Sequence, residues 1–294
     1  MSGVRWIAVD WGTSHLRLWA MSDADEPLDH RSSRDGMGGL APDAFPAVLD
    51  RMTDGWPAEA PVVACGMIGS RQGWVEAPYA TVPCGPLCPE LARAPGPRPV
   101  HIVPGLKQLD PPDVMRGEET QIAGFLSQNP GWDGVLCLPG THSKWAELSA
   151  GEVVSFRTFM TGELFALLSH HSVLRHSVGE GWDADAFAEA VAASLSRPED
   201  LAARLFRLRA DNLLNGTGQS ISTARLSGLL IGADLAAARP WWLGRQVAVI
   251  GAPAVAAAYV AALAGQAVPA ALVDADAMTL NGLIAARARI GDLT

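Results

Sequence analysis

The sequence predicts an α/β protein of two domains, and three observations predict it. Helix-spaced apolar segments alternate with short buried-strand runs along most of the chain, the pattern of a layered α/β architecture. Trp6 to Leu18 reads as a strand, a tight turn and a second strand: Ile7-Ala8-Val9 delivers Asp10 to a turn at Gly12, and apolar/polar alternation resumes at His15-Leu16-Arg17-Leu18. The same plan recurs at Val135 to Trp145, where the Gly140-Thr141 turn stands about one domain's length after Gly12-Thr13.

Composition agrees with this class. With 294 residues and 49% hydrophobic content, two cores can be buried. A net charge of −9 argues against a nucleic-acid partner, so an anionic substrate needs a local cluster of basic groups and backbone N–H groups. The chain shows neither a basic leader with an apolar run nor the roughly 20 apolar residues of a membrane span. A cytoplasmic protein without a membrane partner is expected, acting alone or as a homo-oligomer. The four cysteines are too few to staple the chain, and Cys65 and Cys137 sit in strand-like runs where buried thiols are ordinary. Cys84 and Cys88 could begin a zinc site with His101, but no matching second pair follows and the surrounding prolines already account for a rigid loop.

In chain order, strands are expected at 4–9 and 15–21, with a third at Leu28 to Arg34 before the turn Asp35-Gly36-Met37-Gly38-Gly39. That turn is either a plain loop or one that closes on a ligand. Pro42 to Met52 has helical spacing and Pro61 to Cys65 reads as a buried strand. Tyr79 to Pro112, rich in proline and glycine, is expected to be connecting structure or a lid, with one short strand near Val100 to Val103. A helix begins after Gly117, with Glu118 and Glu119 in its first turn, where carboxylates interact well with the helix dipole. Strands are expected at Trp145–Leu148 and Val153–Phe159. Helices are expected at Leu164 to His176, Ala184 to Leu195, Leu201 to Leu208 and Ile221 to Ala238. His170, His171 and His176 lack metal spacing and read as exposed helix-end residues. Gln246 to Ile250 is a strand entering the turn Gly251-Ala252, Pro253 opens a helix to Leu263, and Ala275 to Arg289 is the last helix.

Several of these turns suit phosphate and sugar chemistry. Turn amides with the Thr13 and Ser14 hydroxyls can cradle phosphate oxygens, and Asp10 can hold Mg²⁺ directly or through water. Asp-x-Gly-Thr also makes an ordinary hairpin turn, but a second copy at Gly140-Thr141 points to a nucleotide held between related domains. Beyond the strand at Cys65, the loop Gly66-Met67-Ile68-Gly69-Ser70-Arg71-Gln72-Gly73-Trp74 offers glycines for close approach, Ser70 and Gln72 for hydroxyls, and Arg71 for an anion. The alternative for Arg71 is a surface ion pair.

The paired hairpins resemble the two phosphate loops of the actin-like ATPase and sugar-kinase superfamily. Within it, V-D-W-G-T, G-M-I-G-S-R-Q-G-W, R-G-E-E-T-Q, P-G-T-H-S-K-W, M-T-G-E-L and S-G-L-L-I-G-A-D resemble the 2-dehydro-3-deoxygalactonokinase family. The resemblance covers nearly the whole chain. It implies two actin-like (ribonuclease H-like) domains with an interdomain ATP cleft: 1–116 on the sugar-acid side, joined by the helix 275–294, and 117–274 on the nucleotide side. It implies ATP and Mg²⁺ as cofactors and transfer to the C6 hydroxyl of 2-dehydro-3-deoxy-D-galactonate. The phosphate set is Gly12, Thr13, Ser14, Arg17, Gly140, Thr141, Ser143 and Lys144, with Gly251 and Ala252 at the adenosine. The substrate set is Gly38, Gly39, Ser70, Arg71 and Gln72. Arg17 and Lys144 lie at different offsets from their glycines, so the two need not face alike.

One departure from the superfamily stands out: Leu138 falls opposite Asp10 where many relatives carry an acid. Glu118 and Glu119 are the expected replacements as catalytic carboxylates, with Asp113 and Glu163 in reserve. The alternatives are a kinase for another sugar acid or a hexose, a sugar sensor without catalysis, and a phosphatase acting on phosphoanhydrides.

Overall fold

Alternation along the first strand, β1 (Trp6–Trp11), organises half of the molecule, because successive strand side chains point to opposite faces of a sheet. Ile7, Val9 and Trp11 enter one apolar cluster, and Trp6 and Ala8 enter another. The computed structural model describes residues 3–290 and divides into two units. The first holds the chain through Trp132, Ser149–Ser155 and the segment from Ala275 onward; the second holds Asp133–Leu148 and Phe156–Asp274.

In the first unit, β1 pairs antiparallel with β2 (Leu16–Met21), which pairs with β3 (Pro27–Ser33). Helix α1 (Phe45–Met52) then crosses to β4 (Val62–Gly66), parallel to β1. Phe45, Val48 and Leu49 of α1 pack on the Ile7, Val9 and Trp11 face. The proline-rich stretch is not a lid with one strand. It contributes β5 (Tyr79–Thr81), β6 (Ala92–Arg93), β7 (Val100–Ile102) and β8 (Gly105–Leu109), followed by β9 (Pro112–Met115). The six-stranded sheet has the order β3-β2-β1-β4-β7-β6, and β5-β8-β9 form a separate three-stranded sheet. Strands this short show too few alternations to be read against a background of proline and glycine.

Helix α2 (Glu118–Gln128) follows. A five-stranded sheet follows in the order β12-β11-β10-β13-β14, from β10 (Gly134–Leu138), β11 (Ser143–Ser149), β12 (Glu152–Phe159, of which the second unit holds the part from Phe156 on), β13 (Val247–Gly251) and β14 (Ala270–Asp274). Between β12 and β13 run α3 (Thr161–His171), α4 (Ala184–Ser196), α5 (Leu201–Asn215), α6 (Gln219–Ala237) and the short α7 (Arg239–Trp242); α8 (Pro253–Ala264) joins β13 to β14. Asp183 caps α4 by accepting the Ala186 N–H at 2.8 Å, which fixes its start. α5 runs two turns past the expected end and stops where Gly216 turns left-handed at φ +67°. β14 has no counterpart among the expected strands, since Ala270-Ala271 carries little strand signal.

The closing helix α9 (Ala275–Ala288) returns to the first unit and packs on α2. Contact is backbone to backbone: a Cβ on Gly124 would fall on the Met278 carbonyl, and one on Gly282 on the Thr120 carbonyl. Gln121 Nε2 donates to Thr279 Oγ1 at 3.2 Å across the same seam. This packing places α2 with the first unit, whereas the sequence reading started the second domain at 117. Ala123, Leu283 and Ala286 thereby cover the Trp6 and Ala8 face of β1.

Candidate active site

Asp10 lies at the carboxyl end of β1 on the face covered by α2 and α9, where open α/β sheets collect ligands. Its ladder partners are Arg17 on β2 and Cys65 on β4. Oδ2 accepts from Arg17 Nε at 3.1 Å and from Nη2, while Arg17 Nη1 donates to Asp276 of α9. The Cys65 thiol donates toward Oδ1 at 3.8 Å. Gly66, the next residue, holds φ +91°, and a Cβ there would sit 2.7 Å from the Trp11 carbonyl oxygen. Gly117, at φ +109°, brings the start of α2 against Gly66.

That approach sets Glu118 and Glu119 beside the strand ends. Glu119 is fully buried; its Oε2 accepts the Gly117 N–H at 2.6 Å and its Oε1 the Thr120 hydroxyl at 3.1 Å. Burial first, and then the charge of Glu118, push its pKa up to about 8, so it is largely neutral at pH 7. Glu118 is half-buried and accepts the Arg116 N–H at 3.2 Å. Of the two carboxylates, Glu118 is the more exposed. Glu119, expected beside it as a catalytic carboxylate, has its two oxygens taken at the helix start by Gly117 and Thr120.

The first turn exposes Thr13 and Ser14, and a neighbouring turn braces it. The Met37 and Gly38 N–H groups donate to the Gly12 and Thr13 carbonyls, each at 2.9 Å. A Cβ on Gly36 would overlap the Thr13 and Ser14 backbone. In the second unit the Gly140-Thr141 turn is exposed in the same way and braced in the same way. The Glu163 N–H donates to the Thr141 carbonyl at 2.9 Å, and a Cβ on Gly162 would overlap Gly140.

The second turn opens on a cavity of about 410 Å³. Gly140, Thr141 and Gly162 border it together with Leu230 and Ile231 of α6 and Ala254, Val255 and Ala258 of α8, so a polar turn meets an apolar wall. Beneath it is a buried polar network. Asp234 of α6 accepts from Trp145 Nε1 at 2.7 Å, Thr161 Oγ1 at 2.9 Å and the Tyr259 hydroxyl at 2.5 Å. Tyr259 is also hydrogen-bonded to Ser143 Oγ at 3.0 Å. Burial raises the Asp234 pKa to about 6 against the three donors that pull it down. One carboxylate thus ties the strand leaving the turn to α3, α6 and α8.

The family model described as 2-keto-3-deoxy-galactonokinase matches residues 10–286. The chain belongs to this kinase family. It is 39% identical over 247 residues to the 2-dehydro-3-deoxygalactonokinase of Escherichia coli strain K12, covering 81% of each protein. A solved structure from Sinorhizobium meliloti, assigned as a 2-dehydro-3-deoxygalactonokinase, superposes with a TM-score of 0.93 at 39% identity over 98% of both chains. The fold alone is shared with (R)-2-hydroxyglutaryl-CoA dehydratase component A of Acidaminococcus fermentans, 13% identical with a TM-score of 0.56 over 97% of this chain and 98% of that one. The family and its neighbours carry the actin-like α/β fold class expected from the sequence.

Against this kinase background the expected residues separate. Gly12, Thr13, Ser14, Gly140 and Thr141 form exposed or half-exposed turns. Arg17 is committed to Asp10 and Asp276. Lys144 is buried, with Nζ on the His142 carbonyl at 3.1 Å, and Ser143 is buried against Tyr259. All three side chains are thus engaged within the protein. Arg17 pairs with Asp10 and Lys144 with Leu138, so the two basic residues occupy matching ladder positions despite their different offsets from glycine. Gly251 is pressed on Pro139, where a Cβ would lie 2.9 Å from the ring, and Ala252 is the residue before α8; the wall itself begins at Ala254.

Of the residues expected at the sugar acid, Gly38 and Gly39 are exposed. Arg71 and Gln72 are exposed too, and Arg71, its side chain 80% accessible, pairs with Glu76 at 3.5 Å. Ser70 is buried with no partner for its hydroxyl. Among the reserve carboxylates, Glu163 is paired with His142 at 2.5 Å and Asp113 accepts the Val114 N–H at 2.8 Å. His170, His171 and His176 are exposed at helix ends. Asp234, Tyr259 and the buried Arg116 were missed. The fragment S-G-L-L-I-G-A-D contained Asp234, whose place in a helix-spaced apolar run was the available signal.

Proposed function

We propose that this chain uses ATP and Mg²⁺ to phosphorylate the C6 hydroxyl of 2-dehydro-3-deoxy-D-galactonate. The observation that carries the reading is the cavity of the second unit, in which an exposed Gly-Thr turn meets an apolar wall. Such a turn suits phosphate oxygens and such a wall suits a purine. The substrate named for the Escherichia coli relative supplies the acceptor.

Thr141 with its turn serves the phosphate oxygens of a nucleotide in this cavity. Asp10 is a partly exposed carboxylate held in place by Arg17, and no group of three or more metal-binding side chains occurs among the described residues. One carboxylate, with phosphate oxygens and water completing the shell, is how Mg²⁺ is usually bound, so Asp10 fits the ion. When bound, Mg²⁺ offsets charge on the phosphate oxygens. Glu118 accepts the proton of the sugar hydroxyl as the phosphoryl group is transferred, and its held N–H contact with Arg116 orients it.

The test is to mix pure protein with Mg·ATP and a panel of 2-keto-3-deoxy sugar acids and follow ADP. ADP formed only with acceptor, fastest with the galactonate-derived acid, is the expected result. Phosphate release without any acceptor, or a preference for a neutral hexose, would overturn the reading.

A further inference from the structure

Two buried hydrogen-bond donors in one neighbourhood of the first unit have no acceptor among the described residues. Arg116 is 8% exposed and its Nη1 has no partner; Ser70 is 6% exposed and its Oγ has none. An ideal Cβ on Gly69, the residue before Ser70, would lie 2.8 Å from Arg116 Nη1, so the two donors share one neighbourhood. The other guanidinium nitrogens are taken by neutral groups. Nη2 donates to the Ala77 carbonyl at 2.7 Å and Nε to the Tyr79 hydroxyl at 3.4 Å, with the guanidinium carbon 4.2 Å from the centre of the Tyr79 ring. The guanidinium is therefore oriented, with Nη1 left over.

Among the described residues the guanidinium makes no ion pair either. Glu118 meets Arg116 through the backbone N–H rather than the guanidinium, and Glu119, which feels the Arg116 charge, is largely neutral. A buried cation without an anion is costly, and buried donors in native proteins are nearly always satisfied. The position is telling. Gly117, next to Arg116, touches Gly66, and Gly66 adjoins Asp10, so the donors lie one residue from the elements that carry the proposed chemistry.

We propose that Arg116 Nη1 and Ser70 Oγ form the subsite for the carboxylate of the sugar acid. This rests on the sugar-acid kinase reading and assigns the anion to residues other than Arg71, whose guanidinium is at the surface on Glu76. A carboxylate supplies the two acceptors and the negative charge that the pair lacks. A neutral sugar supplies neither charge nor a second acceptor in the same plane.

The experiment compares wild type, Arg116→Met, Arg116→Lys and Ser70→Ala in steady-state kinetics with 2-dehydro-3-deoxy-D-galactonate and with its carboxamide. Calorimetry of acid binding without ATP and thermal melts accompany the kinetics. Arg116→Met should raise the KM of the acid about ten- to a hundredfold, the loss of one charge-assisted bond, with the KM of ATP unchanged. Arg116→Lys should recover part of this, Ser70→Ala should show a smaller rise, and the carboxamide should respond little to any of them. KM values for acid and carboxamide that rise together, or a lowered melting temperature with the acid KM unchanged, would make Arg116 a clamp on its loop and overturn the assignment. So would an unchanged acid KM in these variants beside a raised one in Arg71→Ala. Wild-type protein that binds the acid in calorimetry without forming ADP would remove the kinase reading and leave the subsite standing.

Discussion

Glu119→Gln separates a structural acid from a catalytic one. Glu119 is fully buried and its pKa is raised from 4.5 to about 8, so the fold prefers its neutral form. Stability from this group is fully present below the unfolded pKa and is lost as pH rises through the folded one. Multiplying the rise of 3.5 units by 1.36 kcal/mol per unit gives about 5 kcal/mol surrendered between pH 4.5 and 8. Glutamine copies the neutral acid: its carbonyl can accept the Gly117 N–H, and its amide can donate to Thr120 Oγ1 in reverse of the present bond. The groups acting on this site are Glu118, Arg116 and the Cys65 thiol, and all are retained in the variant. Urea melts followed by tryptophan fluorescence, at about pH 5 and about pH 9, should show the variant gaining on wild type by about 5 kcal/mol at the higher pH. Turnover at pH 7 should stay near wild type, because Glu118 is the proposed base. Parallel stability curves, or an intact fold with turnover abolished, would refute the reasoning.

Three further outcomes are expected. Asp10→Asn should lower kcat by orders of magnitude with little change in melting temperature, since one charge is removed at nearly constant volume; near-normal kcat at saturating Mg²⁺ would take Asp10 out of the metal role. Ala258→Leu should fill the cavity wall of α8 and raise the KM of ATP about tenfold while leaving that of the sugar acid alone, as overpacking of 1–3 kcal/mol implies. Gly124→Ala should cost at least about 3 kcal/mol in denaturant melts, because the added methyl meets the Met278 carbonyl of α9, which is backbone and cannot rotate away.

The two glycine-threonine turns were legible because everything that makes them is local: an apolar strand, a glycine and a resumed alternation fall within about a dozen residues. The α/β class and most helices were legible for the same reason. What each charged side chain does was not. Arg17 reads as a phosphate ligand from its place after the turn, and only the fold brings Asp276, far along the sequence, to its other side. Arg71 and Arg116 are both single arginines in glycine-containing segments, and only tertiary packing leaves one at the surface and the other beneath Gly69. Glu118 and Glu119 are neighbours in sequence, and the helix turn between them sends one into the core. The strands of the proline-rich stretch escaped because pairing partners, rather than their own two to five residues, define them.

The glycine seam between α2 and α9 also orders the birth of the protein. α2 leaves the ribosome long before α9, with the whole of the second unit translated in between. Until α9 emerges, Trp6, Ala8 and Ala123 lack the cover that Leu283 and Ala286 give them, and Arg17 lacks Asp276. The second unit draws on two nearby stretches and has all its own strands and helices in hand before then. All residues of the second unit are therefore translated while the face of the first that holds Asp10 still lacks its covering helix.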